Sequence, residues 1–127
     1  LKANPKLIWH YRYQSVPKSC DTYGDADFTA KEAQLRSTTG TCDTFGDHTL
    51  ETCSSTQSVR ALSTGGAEFY AIVKSAASCL HTQAILLGFG IIVEAQVRSD
   101  ATVGIGIASR HGSGLSLTHI SEPTRPY

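Results

Sequence analysis

Two hydrophobic periods divide this chain. From residue 7 to about residue 55 apolar and polar side chains alternate by twos, which is strand patterning. From residue 63 to residue 88 they recur by threes and fours, which is helix patterning. Leu7, Trp9 and Tyr11 alternate with Ile8, His10 and Arg12, predicting a short strand after Pro5 that Val16-Pro17 breaks. From Ser19 to Phe28 one face carries Cys20, Thr22, Gly24, Ala26 and Phe28, and the other carries Asp21, Tyr23, Asp25 and Asp27. Three carboxylates on one face repel unless something positive compensates, so this segment reads as a solvated edge strand or a turn at Gly24-Asp25. After a polar connector from Ala30 to Arg36, Thr39 to Phe45 reads as a strand closed by a Gly46-Asp47 hairpin turn. Thr49 to Ser55 returns antiparallel, and Ser54-Ser55-Thr56 either ends that strand or carries it into Val59-Arg60-Ala61.

The helix opens at Ser63 or Thr64, either of which can cap it, and Gly65-Gly66 weakens its first turn. Ala67, Tyr70, Val73, Ala77, Leu80, Ala84 and Leu87 form the predicted packing stripe, with Gly88 as a left-handed stop. Gly90 to Asp100 alternates again, placing Val93, Ala95 and Val97 on one face and Asp100 at the strand's carboxyl end. Ala101 to Arg110 predicts a short helix capped by Asp100. The expectation is one α/β domain in the order hairpin strands, helix, strand, helix, with no internal repeat.

Glu68 is the only acid between Glu51 and Glu94, one step off the helical stripe. It is either a favourable charge in the first helical turn or a metal ligand. The open crevice of mixed sheets lies beyond strand ends, where Asp100 falls.

Composition narrows the picture modestly. The 127 residues suffice for one domain, and 40% hydrophobic with 17% charged residues is ordinary for a globular chain. Eleven basic and eleven acidic side chains cancel, which counts against a stand-alone nucleic-acid binder. Cys20, Cys42, Cys53 and Cys79 form no C-x-x-C pair and no zinc spacing, so free thiols without a disulfide partner in a reducing compartment are expected. No apolar run approaches the roughly 18 residues of a membrane span. Without methionine even at position 1, the chain reads as a fragment of something longer.

The strings YGDADF from Tyr23, RSTTG from Arg36, GDH from Gly46, SSTQ from Ser54, LSTGGAEFYA from Leu62 and RSDATVGIGIASR from Arg98 follow in that order. Together they resemble the RNase H domain of copia-type retrotransposon polyproteins, and LIWHYRYQ resembles the segment connecting it to the reverse transcriptase. The resemblance covers about residues 1–114. It implies an RNase H-like mixed sheet with flanking helices, C-terminally truncated. Residues 1–18 would be the connecting segment and 19–114 the partial domain. The implied activity is hydrolysis of the RNA strand of RNA–DNA hybrids during reverse transcription. By the same resemblance Asp25, Glu68 and Asp100 match the catalytic, metal-holding carboxylates, with Asp27 in reserve. Such sites hold two Mg²⁺ about 4 Å apart, with Mn²⁺ as a substitute. The implied partners are the hybrid and the reverse transcriptase of the same polyprotein. The implied location is intracellular, in a cytoplasmic virus-like particle or the nucleus, and neither secreted nor membrane-bound.

Three departures qualify this. The family usually has glutamate where this chain has Gly66, and an aromatic where it has Cys53. Leu115 to Tyr127 (LSLTHISEPTRPY) resembles the translation of a sequencing-library adapter, so residues 115–127 are set apart as non-native. Three readings therefore stand: an incomplete nuclease, weak or inactive alone; a degenerate, non-catalytic remnant that at most binds nucleic acid or reverse transcriptase; and a generic α/β domain whose acids are caps and surface charges. Arg98 and Arg110 either contact phosphate or are solvated surface arginines.

Overall fold

The computed structural model describes residues 6–28, 36–110 and 120–121. Its elements run β1 (Ser19–Asp27), β2 (Thr38–Phe45), β3 (His48–Thr56), α1 (Thr64–Gly88), β4 (Glu94–Arg98), α2 (Thr102–Arg110) and β5 (Ile120–Ser121). The sheet has the order β3-β2-β1-β4-β5, with β1–β2 and β2–β3 antiparallel and β1–β4 and β4–β5 parallel. This is a mixed sheet with helices attached, as the pattern predicted at that coarser level. The two residues of β5 fall within the stretch set apart as non-native, so the described sheet extends into it.

β1 is central, not an edge: it pairs with β4 from Ser19 to Tyr23 and runs straight through Gly24-Asp25, where it stays paired with β2. Its alternation is as predicted: Cys20, Thr22 and Gly24 are buried, while Tyr23, Asp25 and Asp27 are exposed. The positive compensation that the acidic face requires comes from β4, where Arg98 Nε lies 3.6 Å from Asp21 Oδ2. Gly46 turns the β2–β3 hairpin at φ +61°, which a non-glycine residue rarely adopts. β3 stops at Thr56 and does not continue to Ala61.

The predicted strand at residues 7–12 does not form; residues 6–17 run without regular structure. A strand needs an edge to pair with. Here side chains make the attachment, with Gln14 Nε2 donating to Phe45 O (2.8 Å) and Tyr11 Oη donating to Thr49 O (3.0 Å).

Helix α1 begins where expected. Ser63 is its N-cap, and the Ser63 Oγ accepts from Gly66 N–H at 3.1 Å. Its end and its face differ from expectation. Gly88 is still helical, Phe89 is the C-cap, and the left-handed residue is Gly90 at φ +80°. Of the predicted stripe only Ala67 is buried, whereas Val73, Leu80 and Leu87 are exposed. The buried face is Ala67, Ala71, Ile72, Ser75, Ala76, Cys79, Thr82 and Leu86.

The reason is what the sheet offers. A Cβ on Gly24 would lie 1.9 Å from Ser75 Oγ and 3.4 Å from Ala71 O, so at this crossing helix and strand approach too closely for larger side chains. The sheet also presents a buried carboxylate. Asp43 Oδ1 accepts from Thr22 Oγ1 (2.6 Å), and its Oδ2 accepts from Ser78 Oγ (2.6 Å) and Thr82 Oγ1 (3.2 Å). A buried charge needs such partners, and the hydroxyl-bearing face of α1 supplies two of the three. Around this lies a small apolar cluster of Cys20, Ile72, Ala76, Cys79, Leu86, Val93, Ala95 and Val97. Gln57 closes the far end, donating to Thr39 Oγ1 and Ala67 O, each at 3.0 Å.

All four cysteines are free thiols, and Cys20 Sγ lies 4.0 Å from Cys79 Sγ. Burial first, and then the neighbouring Cys79, push the Cys20 thiol up from 9.0 to about 12. No described helix is long and apolar enough to cross a membrane.

Two stability experiments follow from this packing. Asp43→Ala leaves three hydroxyls without their acceptor and is expected to cost roughly 3 kcal/mol in urea denaturation. Asp27→Ala on the exposed face should stay within about 0.5 kcal/mol. The Cys20 thiol holds its proton more tightly folded than unfolded. Its contribution is therefore fully present below about pH 9 and lost as pH rises toward about 12. The urea midpoint should fall across that window, and less steeply in Cys20→Ala.

Candidate functional site

The carboxyl ends of parallel β1 and β4 open side by side, because Tyr23 on β1 is in register with Arg98 on β4. Two residues further on come Asp25, still on β1, and Asp100, just past the end of β4. Both line one cavity of about 370 Å³, together with Tyr23, Cys42, Arg98 and Ser99. Tyr23, Asp25, Cys42 and Arg98 share the sheet face turned away from α1, since the alternating positions Thr22 and Gly24 face the helix. Asp25 Oδ1 accepts from the N–H of Ala26 at 2.8 Å. Arg98 is already engaged, by Asp21 and by a 3.2 Å hydrogen bond from its Nη2 to Gln96 Oε1. Burial, and secondarily the Asp43 charge, raise the Cys42 thiol above its ordinary value, which keeps it protonated near neutrality.

Asp100 is exposed and does not cap α2. The first helical hydrogen bond runs from Ile105 N–H to Ala101 O (2.9 Å), which makes Ala101 the N-cap position. Ser99 Oγ, rather than Asp100, accepts from the Ala101 N–H at 3.2 Å. That leaves the Asp100 carboxylate to the cavity.

Glu68 is placed elsewhere. It is not among the residues lining this cavity, and its Oε2 accepts from the backbone N–H of Gly104 at 3.3 Å. Gly104 is the third residue of α2, so its N–H is one of the donors that a helix start leaves without an intrahelical partner. Glu68 thus caps the second helix from the side of the first and faces its positive end. The two helices meet closely there: a Cβ on Gly104 would lie 3.0 Å from Glu68 Cβ and from Ile72 Cδ1.

The structure therefore brings Asp25 and Asp100 to one cavity, while Glu68 engages the start of α2 and does not line that cavity. Among the described residues no three His, Cys, Asp or Glu side chains gather as a metal site. Two carboxylates opening on one cavity suit a single hydrated Mg²⁺, which binds through one or two carboxylates and keeps several waters. They do not make up a three-carboxylate, two-ion set. Asp27, the reserve candidate, is exposed and does not line the cavity. The side chain of Arg110 lies outside the described residues. Tyr23 and Cys42 were not singled out as site residues from the sequence. Tyr23 lies two residues before Asp25 on the same face, and Cys42 joins them through the β1–β2 register, which no local motif announces.

No family model, no curated protein and no solved structure matches this chain.

Replacing Glu68 by Ala should loosen the α1–α2 contact by about 1 kcal/mol. Amide exchange at Gly104 should then quicken while the centre of α1 keeps its protection. Unchanged exchange at Gly104 would refute the capping role.

Proposed function

We propose that the chain is a C-terminally truncated RNase H-like domain of a copia-type retrotransposon polyprotein. Its activity class is metal-dependent cleavage of the RNA strand of RNA–DNA hybrids, incomplete in this fragment. The observation that carries the reading is the pairing of Asp25 and Asp100 at the carboxyl ends of adjacent parallel strands, opening on one cavity. The ordered sequence blocks supply the family, and an antiparallel β1–β3 followed by a parallel β4 is compatible with it.

Asp25 and Asp100 would hold Mg²⁺ or Mn²⁺ through hard carboxylate oxygens. When bound, divalent ions in such sites activate a water and stabilise the leaving oxygen of a displacement at phosphorus. The chain's own part is to present two acids on a rigid sheet and, through Arg98, a guanidinium at the same cavity. Glu68 supports this arrangement indirectly by seating α2 directly after Asp100. A hybrid read by shape and 2′-hydroxyls needs little net charge, so the neutral balance is tolerable.

A specific observation favours the second reading, a non-catalytic remnant. Glu68 is engaged by the Gly104 N–H and is not among the residues lining the cavity, so only two of the family's carboxylates line it.

The test titrates Mg²⁺ into the chain while following backbone amide resonances, alongside cleavage of a labelled hybrid. The expected result is a millimolar Mg²⁺ response at Asp25, Ala26 and Asp100 that Asp25→Asn and Asp100→Asn abolish. Cleavage should be weak or absent, and any trace should vanish in Asp100→Asn. Absence of both Mg²⁺ response and cleavage would leave the remnant reading standing and remove the nuclease one.

A further inference from the structure

The charge of this chain is not evenly spread. Residues 1–18 contain Lys2, Lys6, Arg12 and Lys18 and no Asp or Glu, whereas the totals for the chain are eleven and eleven. The same stretch interleaves those cations with Trp9, Tyr11 and Tyr13. Among the described residues it forms an irregular strap from Lys6 to Pro17, held against the β2–β3 turn by its polar side chains.

The anchoring is specific. Gln14 Nε2 donates to Phe45 O and lies 3.1 Å from His48 Nδ1, while Gln14 Oε1 accepts from Asp47 N–H at 2.9 Å. His48 Nε2 lies 2.6 Å from Arg12 O. A carbonyl can only accept, so Nε2 carries the proton and Nδ1 accepts from Gln14. The Tyr11 ring meets the His48 ring edge-on, with centroids 5.2 Å apart. Asp47 meets the strap through its backbone N–H, so the fixation draws on no strap cation.

A segment held this firmly would be expected to bury its large rings, and it does not. Tyr13 is 98% exposed and Trp9 is 51% exposed, with Lys6 and Arg12 also in solvent. Exposed aromatic faces interleaved with cations, on a backbone fixed in place, are what single-stranded nucleic acid requires. Bases stack on the rings, and phosphates meet the cations. A duplex offers no free base faces to such rings.

We infer that the strap from Lys6 to Lys18 is a binding site for single-stranded nucleic acid, with Trp9 and Tyr13 as stacking platforms and Lys6, Arg12 and Lys18 as phosphate contacts. It is distinct from the aspartate cavity. Phe45, where the strap docks, lies five residues along β2 from Gly40, the partner of Asp25, which is about 17 Å. The inference does not rest on the nuclease reading.

Trp9 is the only tryptophan of the chain, so its fluorescence reports directly on the site. The experiment titrates the full chain with an oligopyrimidine single strand of about 15 nucleotides. Binding is also followed by the polarisation of a labelled strand, which allows Trp9 itself to be replaced. The expected result is saturable quenching of Trp9, stronger for the single strand than for the matching duplex. Raising salt from about 50 to 200 mM should weaken binding roughly 20-fold, as three phosphate contacts require. Trp9→Ala and Tyr13→Ala should each weaken it about tenfold, and Arg12→Gln should flatten the salt dependence. The Asp25→Asn/Asp100→Asn double variant should bind as the parent does. Absence of quenching, preference for the duplex, parental affinity in Trp9→Ala and Tyr13→Ala, or loss of binding in the double aspartate variant would each overturn the proposal.

Discussion

The contact on which this fold depends is the approach of α1 to the central strand at Gly24. Nothing larger than hydrogen fits on β1 where Ser75 and Ala71 cross it. Ser75 itself sits low on its helix, its Oγ donating to Ala71 O at 2.7 Å. That closeness selects alanine, serine and threonine for the helix face and pushes Val73, Leu80 and Leu87 into solvent. It also makes the buried Asp43 tenable, because hydroxyls at Ser78 and Thr82 are then within reach. A helix held further away would leave Asp43 Oδ2 without its two donors and only Thr22 bonded to the carboxylate.

The same contact decides the chemistry. Side chains alternate strictly along a strand, so seating Gly24 beneath the helix turns Asp25 to the opposite face. Asp100 lies two residues past Arg98, where β4 ends, and so lines the same cavity as Asp25. Glu68 rides on the helix that packs against the other face, and its carboxylate accepts from the start of α2.

Much of the architecture was legible from local signals. Alternation in residues 19–27, the Gly46 turn, the Ser63 cap and the Val93, Ala95, Val97 face each rest on a residue's own stereochemistry, and each reads correctly. The stripe of α1 did not, because hydrophobicity was taken as the measure of what a helix buries. The sheet beneath carries Thr22, Thr39, Thr41 and Asp43, all buried, so the helix had to match polarity and size rather than apolarity. Asp100 was misread as a cap for a related reason. A cap is chosen by the hydrogen bond at the helix start, and Ser99 and Ala101 take up those groups. Of the candidate site, Asp100 could be marked because a strand end is visible in sequence, whereas Asp25 was marked by the family resemblance and not by its spacing. The engagement of Glu68 by Gly104 could not, since it depends on how two helices cross.

The N-terminal strap shows the converse error, in which a correct pattern carried the wrong inference. Residues 7–12 do alternate, and alternation predicted a strand. Pairing, however, needs a partner edge, whereas Gln14, Tyr11 and the Arg12 carbonyl found individual groups on the β2–β3 turn. Fixation by polar side chains leaves the apolar rings with nothing to cover them. A strand would have spread them over both faces of a sheet; the strap keeps Trp9 and Tyr13 in solvent beside cations that no acid of the segment neutralises. The neutral total, eleven against eleven, conceals this separation. A whole-chain balance reports the far field, but a ligand at contact distance meets only the charges within about 10 Å of it.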